Sequence, residues 1–243
     1  MDKNCIIEKK ASFPRMPAPA RCRQGLLGKL RIACVIFLLF AAFIPSGCQS
    51  LPSNAFVGGQ RQISLFDGKT LGYWKVTDFG GQGDVSIKDG SIILEVGNDL
   101  TGVHWTGPLV RMNYEITLEA MRVDGSDFFC GLTFPVGSSP CSLILGGWGG
   151  SVCGLSNIDY YDAANNETTR VVSYENGRWY RVRLRVTPDK IEAWLDDEKL
   201  VDVVTTGRKI SIRPEVDASQ PLGIASWRTK AAIRNIRLQK LAD

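Results

Sequence analysis

One histidine, His104, stands in a chain of 243 residues. Histidine is the residue type whose unperturbed side chain changes charge near neutrality, which suits general acid–base work; the alternative is an ordinary hydrogen-bonded histidine near a strand end. The carboxylates offer no obvious pair. Glu115 and Glu119 share a strand face, but four residues of strand separate them by about 13 Å, beyond the roughly 5–9.5 Å between the two acids of ordinary glycosidases. Asp124 and Asp127 flank the turn VDGSD, where turn formation competes with any role toward a substrate. Six tryptophans are present, and indole faces suit the C–H surface of a sugar ring. Trp148 lies in GGWGG, where glycines let the backbone bend and bring the ring into reach; filling a gap at a strand bend is the other reading. Trp105, between His104 and the pair Gly107-Pro108, is similar. Trp179 and Trp194 lie on strongly patterned strands and read as structural.

The segment NIDYYDAANNET (residues 157–168) is rich in oxygen ligands and is followed by Arg170. Asp159 and its neighbours suit sugar hydroxyls or a calcium ion, though the ordered spacing of a calcium loop is missing and a polar surface loop is the plainer reading. No C-x-x-C spacing exists and the chain has one histidine, which argues against a structural zinc site, and no metal ligand is assigned. No resident cofactor is expected; a divalent cation such as calcium is the one that loop allows.

Turn signals punctuate the chain at Asp67-Gly68, Asp89-Gly90, Asp124-Gly125, Asn176-Gly177 and Pro188-Asp189. Alternating residues lie between them, the pattern of an antiparallel sandwich. VSIKDGSIILEV (residues 85–96) reads as a hairpin turning at Asp89-Gly90. In residues 114–122, Tyr114, Ile116, Leu118 and Ala120 face one way. In residues 178–187, Tyr180, Val182, Leu184 and Val186 point inward and Arg181, Arg183 and Arg185 outward, an arginine stripe that reads as a solvated face. Residues 191–204 form a further hairpin near Asp196-Asp197, with Ala193 and Leu195 facing the core. No long amphipathic helix competes, so the fold class is all-β.

Residues 32–44 (IACVIFLLFAAFI) are an unbroken apolar run, too short to span a bilayer comfortably and suited to a signal peptide. Cys48 follows Pro45-Ser46-Gly47, which resembles a bacterial lipoprotein cleavage site, although Pro45 stands where such sites usually carry Leu; an ordinary secretory signal is the alternative. The expected organisation is a signal over residues 1–47, a tether over 48–60 and one sandwich domain over 61–243, with a lipid on Cys48 holding it to the membrane of a bacterial cell envelope. Met16 is an alternative start. Residues 1–47 hold 8 of the 29 basic and 2 of the 25 acidic residues. The remainder therefore carries 21 basic against 23 acidic, net −2, with no electrostatic footprint for nucleic acid. Of seven cysteines, Cys130, Cys141 and Cys153 fall in the domain. They read as small buried side chains, with a Cys141–Cys153 bridge as the alternative.

LFDGKTLGYW (residues 65–74) near the start and IRNIRLQKL (residues 233–241) at the end resemble the two ends of the 3-keto-disaccharide hydrolase family. The resemblance covers roughly residues 62–241. It implies a concanavalin A-like antiparallel β-sandwich, a jelly roll that acts on carbohydrate. In such chemistry a ketone at sugar C3 acidifies the C2 proton, a base removes it, and the glycosidic oxygen leaves C1. Carried onto this chain, the resemblance makes His104, Glu119 and Asp127 the proton handlers and Arg170 the oxyanion partner, with Trp105 and Trp148 holding the ring; Asp159 stays a substrate-binding candidate on the loop's own chemistry. Two segments depart from the family pattern. Residues 126–134 read SDFFCGLTF where many members have Asn-Ser-Gly leading to Arg, and residues 141–146 read CSLILG where many carry a carboxylate. A non-catalytic carbohydrate-binding lipoprotein using the same face is the competing expectation.

Overall fold

The computed structural model describes residues 62–242; the expected signal, the tether and Cys48 lie outside the described residues. The strands, in chain order, are β1 (Gln62–Ser64), β2 (Trp74–Val76), β3 (Val85–Lys88), β4 (Ser91–Leu94) and β5 (Leu100–Trp105). There follow β6 (Tyr114–Asp124), β7 (Cys130–Val136), β8 (Ser139–Gly147), β9 (Val152–Ser156) and β10 (Arg170–Val171). The last are β11 (Trp179–Val186), β12 (Lys190–Leu195), β13 (Glu198–Val204), β14 (Gly223–Trp227) and β15 (Lys230–Lys240). One short 3-10 segment, Pro214–Ser219, precedes β14. All pairings are antiparallel. One sheet runs β13-β12-β11-β6-β15-β4-β3, with β1 also on β15; the other runs β10-β9-β8-β7-β14-β5-β2. The fold is an all-β two-sheet sandwich.

The first sheet alternates because its outer face meets water. Tyr114, Ile116, Leu118 and Ala120 of β6 are buried in register with Val186, Leu184, Val182 and Tyr180 of β11. Their outward neighbours form cross-strand ion pairs, such as Arg185 to Glu115 at 2.9 Å. The two outward indoles lie under cations: the Arg183 guanidinium is 3.6 Å from the Trp194 ring and that of Arg234 is 3.9 Å from Trp179. Cation–π contact explains aromatic rings on a solvated face. The β3–β4 hairpin turns at Asp89 and Gly90, both at positive φ, 50° and 73°, as a tight twisted turn requires.

In the second sheet both faces are covered. Cys130, Leu132 and Phe134 of β7 and Cys141, Leu143 and Leu145 of β8 enter the central core. The three cysteines are free and buried, and burial pushes each thiol up to about 12, so they are inert apolar filling at neutral pH. On the outer face, Leu100, Val216 and Ala225 form a second, smaller cluster with Phe128 and Trp227 against it. Val216 reaches it because the 3-10 segment lies close over the sheet. A Cβ on Gly223 would stand 2.5 Å from the Ser219 carbonyl oxygen, so glycine is what permits that approach.

Candidate functional site

Two turns at one end of the second sheet build a pocket. Between β8 and β9 the chain passes through Trp148, Gly149 and Gly150 at φ 50°, 87° and 113°. This left-handed run leaves the Trp148 indole 44% exposed. Between β6 and β7, the Asp127 carboxylate accepts hydrogen bonds from its neighbour Phe128 N–H (2.7 Å) and from Gly149 N–H (3.1 Å). One side chain thus ties the two turns together. The Phe128 carbonyl accepts from Trp227 N–H at 2.9 Å, and the two rings lie 6.3 Å apart between centroids.

The resulting cavity of about 260 Å³ has Trp148, Phe128, Trp227, Ile144 and Leu100 as apolar lining. Ser142 and Ser156 add polar groups to that lining; Ser142 Oγ shares a 2.9 Å hydrogen bond with Thr133 Oγ1. Arg213 and Glu215 from the 3-10 segment and its approach complete it. Arg213 donates to Glu215 at 2.6 Å and to Asp162 at 3.2 Å. Its hydrogen bond holds the Glu215 carboxyl below the usual carboxylate value, and the same bond raises Arg213 further. Aromatic faces beside a few planar charged groups form a kit for a sugar ring: apolar surface for its C–H face, forked donors and acceptors for its hydroxyls.

Of the residues singled out in the sequence, the structure brings Asp127 and Trp148 together here. Trp105 is buried in the central core, its indole N–H donating to the Pro108 carbonyl at 3.1 Å. His104 is on β5 of the same sheet, its Nδ1 3.1 Å from Thr77 Oγ1, and is not part of the pocket lining. Glu119 belongs to the opposite sheet's outer face, 2.7 Å from Arg234. Burial pushes its carboxyl up, but hydrogen bonds from Arg234 and Asn235 outweigh this and hold it below the usual value. Asp159 is lowered by hydrogen bonds from Lys209 N–H and Arg208. Arg170 donates to the carbonyls of Glu167 and Thr169. Phe128, Arg213 and Glu215 carried no sequence signal of their own, and Trp227 none beyond being one of the six tryptophans, because the fold and not local sequence brings them to one pocket.

Glu119 lines a second, larger groove of about 520 Å³ with Arg181, Arg183, Trp194 and Arg237. There the one indole face is already occupied by Arg183, so the groove offers a sugar ring no free stacking surface. Among the described residues no group of three or more His, Cys, Asp or Glu side chains is placed to hold a metal ion.

The sequence pattern of the 3-keto-alpha-glucoside-1,2-lyase-like domain matches residues 61–239. A Bacillus subtilis protein of unknown function with a galectin-like fold is similar at TM-score 0.53 and 11% identity, over 74% of this chain and 94% of that one. The Crh5 transglycosylase in complex with NAG is similar at TM-score 0.53 and 10% identity, over 75% and 84%. A protein of human gut microbiota, from work on endo-acting O-glycanases that initiate mucin breakdown, is similar at 0.50 and 8%, over 72% and 94%. At these identities the likeness is one of fold. No curated protein matches the sequence. The chain belongs to the 3-keto-alpha-glucoside-1,2-lyase-like family, a family of carbohydrate-related sandwich domains.

Proposed function

We propose that the pocket between the β6–β7 and β8–β9 turns binds one sugar ring and cleaves glycosides of 3-keto-sugars by elimination across C1 and C2. The observation that carries this reading is the meeting of Asp127 with Trp148, Phe128 and Trp227 in one cavity. Elimination asks less of a site than ordinary glycoside hydrolysis, because the substrate's own ketone acidifies the proton. One base and one cation suffice, with aromatic faces for orientation. Asp127 is the base: it takes the C2 proton, the C2 electron pair forms the C1=C2 bond, and the glycosidic oxygen leaves C1 and is protonated from solvent. Arg213 stabilises the enolate oxygen as charge develops on it. Water adds later across the double bond to give the free 3-keto-sugar.

A specific observation favours a second reading. Both pocket carboxylates already have partners, Asp127 in two backbone N–H groups and Glu215 in Arg213. A non-catalytic carbohydrate-binding domain needs no more than that. The full chain incubated with 3-keto-glucosides and their unoxidised parents, with and without divalent cations, separates the two. Loss of the glycosidic NMR signal from the keto-sugars alone, abolished in Asp127→Asn, is the expected result. Line broadening without turnover would establish binding instead.

A further inference from the structure

The loop over residues 157–168 is rich in acids, but they are engaged within the protein. Asp159 takes Arg208 Nε at 2.6 Å, Glu167 takes Arg208 Nη2 at 2.6 Å, and Asp162 takes Arg213. Besides Asn165 and Glu167, the loop presents two rings to solvent, Tyr160 at 77% and Tyr161 at 61% exposure. Asp159 and Tyr160 sit at φ 49° and 72°, a left-handed conformation that bulky side chains adopt only when neighbouring contacts hold it.

The exposed aromatic side chains among the described residues are Tyr73, Trp148, Tyr160 and Tyr161. Tyr73 leans edge-on against Trp105, 5.3 Å between centroids. Trp148 lines the pocket. Tyr161 precedes Asp162, whose carboxylate is 3.2 Å from pocket-lining Arg213. Ile158 bridges to both Tyr161 and Ile210, fixing the loop against the segment that leads to Arg213. The cavity, about 260 Å³, is smaller than the roughly 300 Å³ at which sites for drug-sized ligands begin, so it suits a single ring and leaves any attached sugar outside.

We infer that Tyr160 and Tyr161 form a second stacking platform for the neighbouring units of an oligosaccharide, so that the ligand is a sugar chain and not a lone monosaccharide. This rests on the pocket being a sugar site. Stacking is the chemistry that uses exposed rings without charge, and the ion pairs of Asp159, Asp162 and Glu167 hold the loop that carries the rings before a ligand arrives.

The test measures affinities of the full chain for 3-keto-glucose and for glucose-, galactose- and mannose-based mono-, di- and tetrasaccharides by titration calorimetry. It compares the unaltered protein, the double variant Tyr160→Ala with Tyr161→Ala, and Trp148→Ala. The expected result is a loss of about tenfold in tetrasaccharide affinity in the double variant with monosaccharide affinity unchanged, while Trp148→Ala weakens both. Equal affinities of the double variant and the unaltered chain at every length overturn the platform and leave the pocket standing. Oligosaccharide binding that survives Trp148→Ala but not the tyrosine changes places the sugar on the tyrosines alone and overturns the pocket, and with it the platform as an extension of the pocket. No binding of any sugar by the unaltered chain overturns both.

Discussion

Trp148 holds its indole at a backbone φ of 50°, a region that costs a non-glycine residue ~1–2 kcal/mol. Nothing in the hydrophobic core requires that ring, which is 44% exposed. Trp148→Gly relieves the left-handed conformation and adds chain entropy to the unfolded state of ~0.5–1 kcal/mol, so the two effects nearly cancel. The expected outcome is a denaturation midpoint close to that of the unaltered chain with sugar binding lost. A large fall in midpoint would mark the indole as a structural plug instead. Glu215 gives a pH test of the same rim. Arg213 keeps its folded pKa below the ordinary 4.5. A carboxyl depressed on folding adds stability above its unfolded value and loses it as pH falls through the folded one. Glu215→Gln is therefore slightly less stable than the unaltered protein at neutral pH, and the gap closes as pH drops below 4.5. Both partners are 44% exposed, so the gap is small. Denaturant titrations at a series of pH values read it, and a gap that persisted in acid would mean the carboxylate is not the origin.

Arg122 shows how an element positions the site from behind. It is buried on β6 with no carboxylate partner among the described residues, and its guanidinium donates to Asn176 Oδ1 (2.6 Å), the Tyr174 carbonyl (2.6 Å) and the Gly150 carbonyl (3.3 Å). It thereby joins the strand to the turn that carries Trp148. Arg122→Met leaves the buried Tyr174 carbonyl without its donor and frees the more exposed Asn176 and Gly150 oxygens to water, a cost of about 1–3 kcal/mol, and loosens the Trp148 turn. Chemical denaturation reads the first effect and a shift in tryptophan emission the second; an unchanged midpoint would remove Arg122 from this role. The elements differed sharply in how well the sequence announced them. β3, β6, β11 and β12 alternate cleanly because one of their faces meets water. Cys130–Val136 of β7 is buried at nearly every position, and β8 likewise over Cys141–Gly147. Their outer face lies beneath Phe128, Trp227 and the 3-10 segment, so no period of two survives. The sheet that carries the candidate site was thus the harder one to read. Asp127 and Trp148 stood out by local turn chemistry, while Arg213 and Glu215, and Trp227 beyond its residue type, gave no signal until the fold brought them together.

At the scale of the whole molecule the sandwich presents two unlike outer faces. The first sheet carries a lattice of opposite charges, with Arg181, Arg183, Arg185 and Arg234 set against Asp196, Asp197, Glu115 and Glu119. The second carries the aromatic pocket. Salt distinguishes them. A ligand held by exposed arginines weakens steeply as ions screen the contact, whereas stacking and hydrogen bonding of a neutral sugar in an aromatic cavity are nearly indifferent to it. At about 1 M salt the screening length falls to ~3 Å, from ~10 Å at about 0.1 M, which suppresses attraction across the charged face. The expected outcome is sugar affinity that changes by less than about twofold over that range. A steep decline would move the binding site to the arginine face and put Glu119, rather than Asp127, beside the ligand. The same titration bears on the fold: exposed ion pairs are each worth ~0–1 kcal/mol, so the melting temperature should also change little, because the buried apolar core between the sheets, not the charge lattice over one of them, holds the sandwich together.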